Sequence, residues 1–133
     1  MIYRGEHVTS FLSNPRLLGA TVHALVIPNR HIIDPRHLTR VERWSLDVEI
    51  EILRAVMLGK LGLKGTDVWQ KSRPDIAESA IKRDHVHWHV VGSQPGDQVY
   101  DTGIVWTPDR FATLSDEYAA QFLPTLQSCG HID

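Results

Sequence analysis

Asp84-His85-Val86-His87-Trp88-His89-Val90-Val91 alternates three histidines with apolar residues. Successive side chains of an extended backbone point to opposite faces, so His85, His87 and His89 share one face and Val86, Trp88 and Val90 the other. A helix would scatter the same histidines around its axis, and β-branched and aromatic residues favour a pleated, half-buried surface. The pattern predicts a strand with an apolar back and an imidazole front, neighbouring histidines lying roughly 6.6 Å apart. An imidazole, with an ordinary pKa of about 6.5, can act as nucleophile, proton donor or metal ligand. Beside the plain reading of a histidine-bearing sheet face stand two sharper ones: a histidine nucleophile attacking phosphorus, and a zinc site with its ligands on one strand.

Upstream, Val22, Leu25, Val26 and Ile27 make Thr21 to Pro28 a nearly continuous apolar run, as expected of a central, covered strand. His23 sits inside it, where a buried imidazole needs a partner. Glu6 to Ser13 reads as a short strand, and Asn14-Pro15 as a turn. Asp34-Pro35 and the Thr39/Glu42 pair, a capping-box pattern, open a long helix from Thr39 to about Leu61. Its apolar residues fall on two sides, Val41, Trp44, Val48, Ile52 and Ala55 on one and Leu46, Ile50, Leu53 and Met57 on the other. Such a helix must be covered twice, by the sheet and by either the C-terminal helix or a second subunit. Gly59, Gly62 and Gly65 end it.

Asp67 to Lys71 reads as a short strand. The stretch that follows offers Lys71, Arg73, Lys82 and Arg83, cations able to grip phosphate, or simply a solvated loop. Gly92 to Asp97 is a turn-rich exit, Tyr100 to Trp106 reads as a further strand, and Ser115 opens a C-terminal helix to about Gln127 with Tyr118, Phe122 and Leu126 on one face. Trp106 reads as core or interface in preference to a base-stacking platform.

Composition bounds the function. The 133 residues fit one domain (1–133), with 42% hydrophobic and 23% charged residues, which argues against disorder. A net charge of −2 gives no general attraction to nucleic acid, so an anionic ligand must be held locally and no nucleic-acid partner is expected. The single cysteine, Cys129, cannot form an internal disulfide. There is no run of about 20 apolar residues and no basic segment leading into an apolar core at the N-terminus, so a cytoplasmic protein without membrane attachment is expected.

The stretch from His85 to Val91 matches at every position the His-φ-His-φ-His-φ-φ pattern, with φ apolar, of the histidine triad (HIT) family. His23-Ala24-Leu25-Val26-Ile27-Pro28-Asn29-Arg30-His31 resembles that family's His-x-Leu-Val-Ile-Pro-Lys-Arg-His segment. The resemblance covers roughly residues 6–97. It implies an α+β fold, an antiparallel sheet of about five strands with one long helix packed on it and a C-terminal helix. It implies a nucleotide hydrolase or nucleotidyl transferase working at the α-phosphate of dinucleoside polyphosphates, nucleoside phosphoramidates or related conjugates. His87 would be the nucleophile, His85 would orient it, and His89 and His23 would hydrogen-bond the phosphate and assist the leaving group.

By the same resemblance Asn14 contacts the nucleotide sugar or a neighbouring loop, against the plain reading of a turn residue. Gln70 stands for the polar residue of the strand before the loop. Glu78-Ser79-Ala80 is weakly similar to the Gln-Ser-Val element that precedes the triad, so Ser79, Lys82 and Arg83 are the candidate phosphate ligands. His31 falls outside the chemistry. No cofactor is required for the nucleophile, although a divalent metal can accompany a polyphosphate; the expected substrate contains adenine, and the expected assembly is a homodimer. A zinc-dependent hydrolase with triad ligands and a non-catalytic nucleotide-binding module are the alternatives.

Overall fold

The computed structural model describes residues 1–70 and 85–128. Seven strands are described: β1 (Tyr3–Arg4), β2 (Val8–Leu12), β3 (Arg16–Leu17), β4 (Val22–Pro28), β5 (Gly65–Trp69), β6 (Trp88–Ser93) and β7 (Phe111–Ala112). With them are the helices α1 (Arg40–Gly59), α2 (Gln98–Thr102) and α3 (Asp116–Gln127). Five strands form one antiparallel sheet in the order β1-β2-β4-β6-β5, and β3 pairs with β7 in a separate two-stranded ladder. This is the α+β architecture expected from the sequence.

One face of the sheet is packed on α1. Val22, Ala24 and Val26 of β4 and Val90 of β6 are sealed against Leu46, Ile50, Leu53 and Met57 of the helix. Phe122 and Leu126 of α3 join the same core. Helix and sheet approach closely at Gly92, where a Cβ would stand 2.6 Å from Leu63 Cδ1 and 3.1 Å from Met57 Sδ. Any side chain there would have to displace the end of Leu63 and press on Val22 and Met57.

The second apolar side of α1 is not covered by α3. Trp44 is 69% exposed and Val41 52%, which removes the C-terminal helix as its cover. Helix α1 also stops at Gly59 and β5 starts at Gly65, each slightly earlier than the sequence suggests. Tyr100 to Trp106 is not a strand. Gln98–Thr102 forms a helical turn that ends at Gly103, whose φ of 103° only glycine adopts readily, and residues 104–107 run on without regular pairing.

The start of α1 carries the capping box in full. Thr39 Oγ1 accepts from the Glu42 amide at 3.1 Å and Glu42 Oε1 accepts from the Thr39 amide at 2.9 Å. Glu42 is buried and also takes both hydrogen bonds of the Arg30 fork, at 2.8 and 3.1 Å. Those bonds hold its carboxyl at about 2, below the ordinary 4.5, against the opposing effect of burial. Because the folded-state value is the lower one, the stabilisation is complete above about pH 4.5 and is lost as pH falls towards 2. Glu42→Gln keeps an oxygen for the Thr39 amide but no charge. We expect its stability deficit, read from urea unfolding at stepped pH, to shrink between pH 4.5 and 2; a constant deficit would assign the effect to packing.

Candidate active site

The face of the sheet away from α1 carries the histidines. On β4 the period of two places His23, Leu25 and Ile27 there. Register then builds a row across four strands: Phe11 opposes Leu25, Leu25 opposes His89, and His89 opposes Trp69. His23 stands one step along, opposite Val91.

Only the last histidine of the triad lies in the ladder. β6 begins at Trp88, opposite Val26 of β4, so His85 and His87, which the alternation places in the strand, precede it. Upstream of it the backbone turns to other partners: the Val86 amide donates to the Ile32 carbonyl at 2.7 Å. The alternation of faces survives, with Val86 and Val90 buried in the main core and His87 and His89 buried on the opposite side.

Hydrogen bonds to groups that can only donate or only accept assign the imidazole tautomers. A carbonyl only accepts, so His87 Nδ1, 3.1 Å from the His85 carbonyl oxygen, carries the proton and the lone pair of the neutral ring is at Nε2. By the same argument His85 donates from Nε2 to the Pro28 carbonyl at 2.9 Å. The Leu17 amide donates to His23 Nδ1 at 3.0 Å, so the His23 proton is on Nε2, which is 2.9 Å from His89 Nδ1. His23 is the donor of that pair, and neutral His89 carries its proton on Nε2.

Four rings surround His89. Trp69 stacks on it at 4.6 Å with 9° between the planes, and Trp106 meets it edge-on at 4.9 Å and 80°. The centroids of His87 and His23 lie 5.0 and 5.2 Å away. Trp106, half-buried, therefore packs into the site, lodged also against Trp69 and Phe111.

His85 is only partly buried, and that burial pushes its pKa below the ordinary 6.5; its bond to the Pro28 carbonyl acts in the opposite direction, while His31 and His87 reinforce the lowering. His31, which the family pattern leaves outside the chemistry, stands edge-on to His85 at 5.6 Å.

Beside the histidines opens a cleft of about 280 Å³ lined by Phe11, Leu12, Asn14, Leu25, Ile27, His85 and His87. Its apolar wall escaped the sequence reading. The parity of β4 places Leu25 and Ile27 with His23, but only the pairing of β2 with β4 brings Phe11 to them. Asn14 lies at the cleft, and its Oδ1 accepts from the Leu114 amide at 3.0 Å. Gln70 follows Trp69 at the end of β5 and is half-buried. Ser79, Lys82 and Arg83 lie outside the described residues, as do Lys71 and Arg73.

Among the described residues no three histidine, cysteine or acidic side chains converge as ligands of one metal ion would. No helix among them is long and apolar enough to cross a membrane.

The fold resembles several solved structures. A histidine triad protein from Sinorhizobium meliloti 1021 superposes with a TM-score of 0.73 at 19% identity, over 96% of this chain and 87% of that one. The diadenosine triphosphate hydrolase of Plasmodium falciparum gives 0.67 at 16% identity, over 96% and 73%. The NitFhit protein of C. elegans gives 0.69 at 20% identity over 95% of this chain, which spans only 26% of that longer protein. No curated protein matches in sequence. The family model of the HIT domain matches residues 1–96, a span that takes in both histidine blocks and all five strands of the main sheet, and the chain belongs to the HIT domain family.

Proposed function

We propose that this protein is a nucleotide hydrolase or nucleotidyl transferase acting at the α-phosphate of dinucleoside polyphosphates, nucleoside phosphoramidates or related conjugates. The observation that carries this reading is the His87 tautomer. A ring that donates from Nδ1 to a main-chain carbonyl holds its lone pair at Nε2, and His87 lines the cleft.

In this mechanism His87 Nε2 attacks the α-phosphorus, a P–N bond forms, and the bond to the leaving group breaks with its electron pair going to that group. The His85 carbonyl, already bonded to Nδ1–H, stabilises the positive charge that develops on the ring. Water or another acceptor then attacks phosphorus, the P–N bond breaks and the lone pair returns to His87. His85 orients the nucleophile through its main chain, its own ring being tied to Pro28. His89 offers its Nε2–H to a phosphoryl oxygen, and His23 stands behind it, both of its ring nitrogens already engaged. The base, adenine by family analogy, packs on Phe11, Leu25 and Ile27. Splitting one displacement into two needs no metal to prepare the nucleophile, and a divalent ion can still accompany a polyphosphate chain.

Intact mass spectrometry tests this reading, after brief mixing with a panel of dinucleoside polyphosphates and adenosine phosphoramidates and a quench without acid. A nucleotidyl adduct that chases to nucleoside monophosphate is expected. Ligand-induced stabilisation without adduct or turnover would instead mark a binding module, and turnover that is lost on chelation without any adduct would mark a metal hydrolase.

The exposed side of α1 supports a second element of the reading, a homodimer. Trp44, Val41 and Val48 are large apolar residues exposed on one helix face, the kind of patch that marks an association surface. Sedimentation is expected to show a dimer, and Trp44→Asp a monomer with its unfolding temperature little changed. A monomeric wild type at tens of micromolar would end this reading.

A further inference from the structure

The family match stops at residue 96, yet the chain beyond it returns to the histidines. It does so through the loop that precedes β4. The Val99 amide donates to the Gly19 carbonyl at 2.9 Å, the Leu18 amide to the Arg110 carbonyl at 2.7 Å, and the Leu114 amide to Asn14 Oδ1 at 3.0 Å. Between these bonds β7 pairs with β3, Phe111 opposite Leu17 and Ala112 opposite Arg16. Leu17, Val91 and Val99 form a small buried cluster of their own, with Trp69, Trp106 and Phe111 packed on it.

This arm reaches the imidazole pair in two ways, through β3 and directly. Through β3, the Leu17 amide that fixes the His23 tautomer belongs to the strand that β7 pairs with. Directly, Trp106 lies edge-on to His89 and is itself backed by Phe111 at 4.7 Å. The χ2 torsion of histidine is broad, so the packing around the ring as well as its hydrogen bonding sets the ring plane. The Trp69 face stacks on the ring, and the Trp106 edge, from the segment beyond the family match, adds a nearly perpendicular contact. The same rings exclude water from the His23–His89 bond, which strengthens it in a low-dielectric setting.

We propose that residues 97–114 are a built-in brace for the active site, in which Trp106 is a positioning residue that holds His89 as a fixed Nε2–H donor. The proposal deepens the nucleotidyl-transfer reading and rests on it for the catalytic consequence. A tryptophan serving only the core would contribute to stability and leave the His89 tautomer and the chemical step unaffected.

The test compares wild type with Trp106→Ala, Trp106→Leu and Trp106→Phe. Leucine keeps apolar volume without the ring edge and serves if alanine does not fold; phenylalanine keeps an edge. Nitrogen-15 spectra of the histidine side chains report each tautomer without any substrate. The expected result is a single His89 Nε2–H tautomer in wild type and Trp106→Phe, and an averaged ring in the folded alanine or leucine variant. With substrate, kcat should fall roughly tenfold to a hundredfold with KM changed less than about twofold, and Trp106→Phe should recover most of it. A folded leucine or alanine variant with the wild-type His89 signal would overturn the proposal. If no nucleotide is turned over by wild type, the catalytic reading falls while the tautomer comparison still decides the brace.

Discussion

His87→Asn will abolish the covalent adduct and lower kcat by at least about a thousandfold, the scale on which loss of a nucleophile is felt, while leaving the fold intact. The choice of asparagine follows from geometry. Its side-chain amide can still donate from the position of Nδ1 to the His85 carbonyl, the bond of 3.1 Å that sets the ring in the wild type. It has nothing at the position of Nε2. The local hydrogen bond is therefore kept and only the lone pair is removed, which His87→Ala cannot do. Intact mass after mixing with substrate, kcat by single turnover and urea unfolding give the three readouts. Residual catalysis within about tenfold of wild type would mean that phosphorus is attacked by water directly, as in a metal hydrolase, and the covalent reading would be lost. Glutamine at the same position is the complementary control, since it reaches towards Nε2 without a nucleophilic nitrogen.

The period-two alternation from His85 to Val91 and the apolar run from Val22 to Ile27 made the two central strands legible before any coordinates, because side-chain direction in a strand depends on parity alone. Thr39 and Glu42 marked the start of α1 for an equally local reason: the capping box is complete within four residues. The segment Tyr100 to Trp106 misled. Its β-branched and aromatic residues suit a strand, but among the described residues no sheet edge receives them, and a turn of helix closed by Gly103 carries the chain to the site instead. Where a strand begins is also non-local. His85 and His87 belong to the alternation but not to the ladder: the pairing of β6 with β4 ends at Trp88 opposite Val26, and the Val86 amide turns to the Ile32 carbonyl instead.

The same division separates the legible part of the site from the rest. The histidines were identified by type and spacing, but their tautomers depend on Leu17, Pro28 and the His85 carbonyl, main-chain groups that no side-chain pattern reports. Trp69 lies in register with His89 and Trp106 approaches it from a distant segment; only the assembled sheet makes either a neighbour of the triad. Cleft residues Phe11 and Ile27 look in sequence like ordinary strand hydrophobics. What distinguishes them is incomplete burial on the histidine face, a property of the fold.

Ile27→Glu should raise KM about a hundredfold with a much smaller effect on kcat. Ile27 is half-buried on the cleft wall, so the substitution can be accommodated without opening the main core. Two effects act together once a nucleotide enters. Seating the base would strip water from the new carboxylate, and the α-phosphate close to His87 would repel it. At about 6 Å and an effective dielectric of about 20 a pair of unit charges interacts by roughly 3 kcal/mol, equivalent to about a hundredfold in binding. Both effects act on bound substrate and transition state alike, which is why the loss belongs in KM and why the His87 adduct should still form at saturating concentration. Ile27→Gln separates the two: it keeps the shape and polarity of glutamate without the charge, and should cost only about tenfold. Initial rates of both variants over a wide substrate range provide the measurement. If KM is unchanged in the glutamate variant, the nucleotide does not lie along Phe11 and Ile27, and the base must enter the site from a different side of His87.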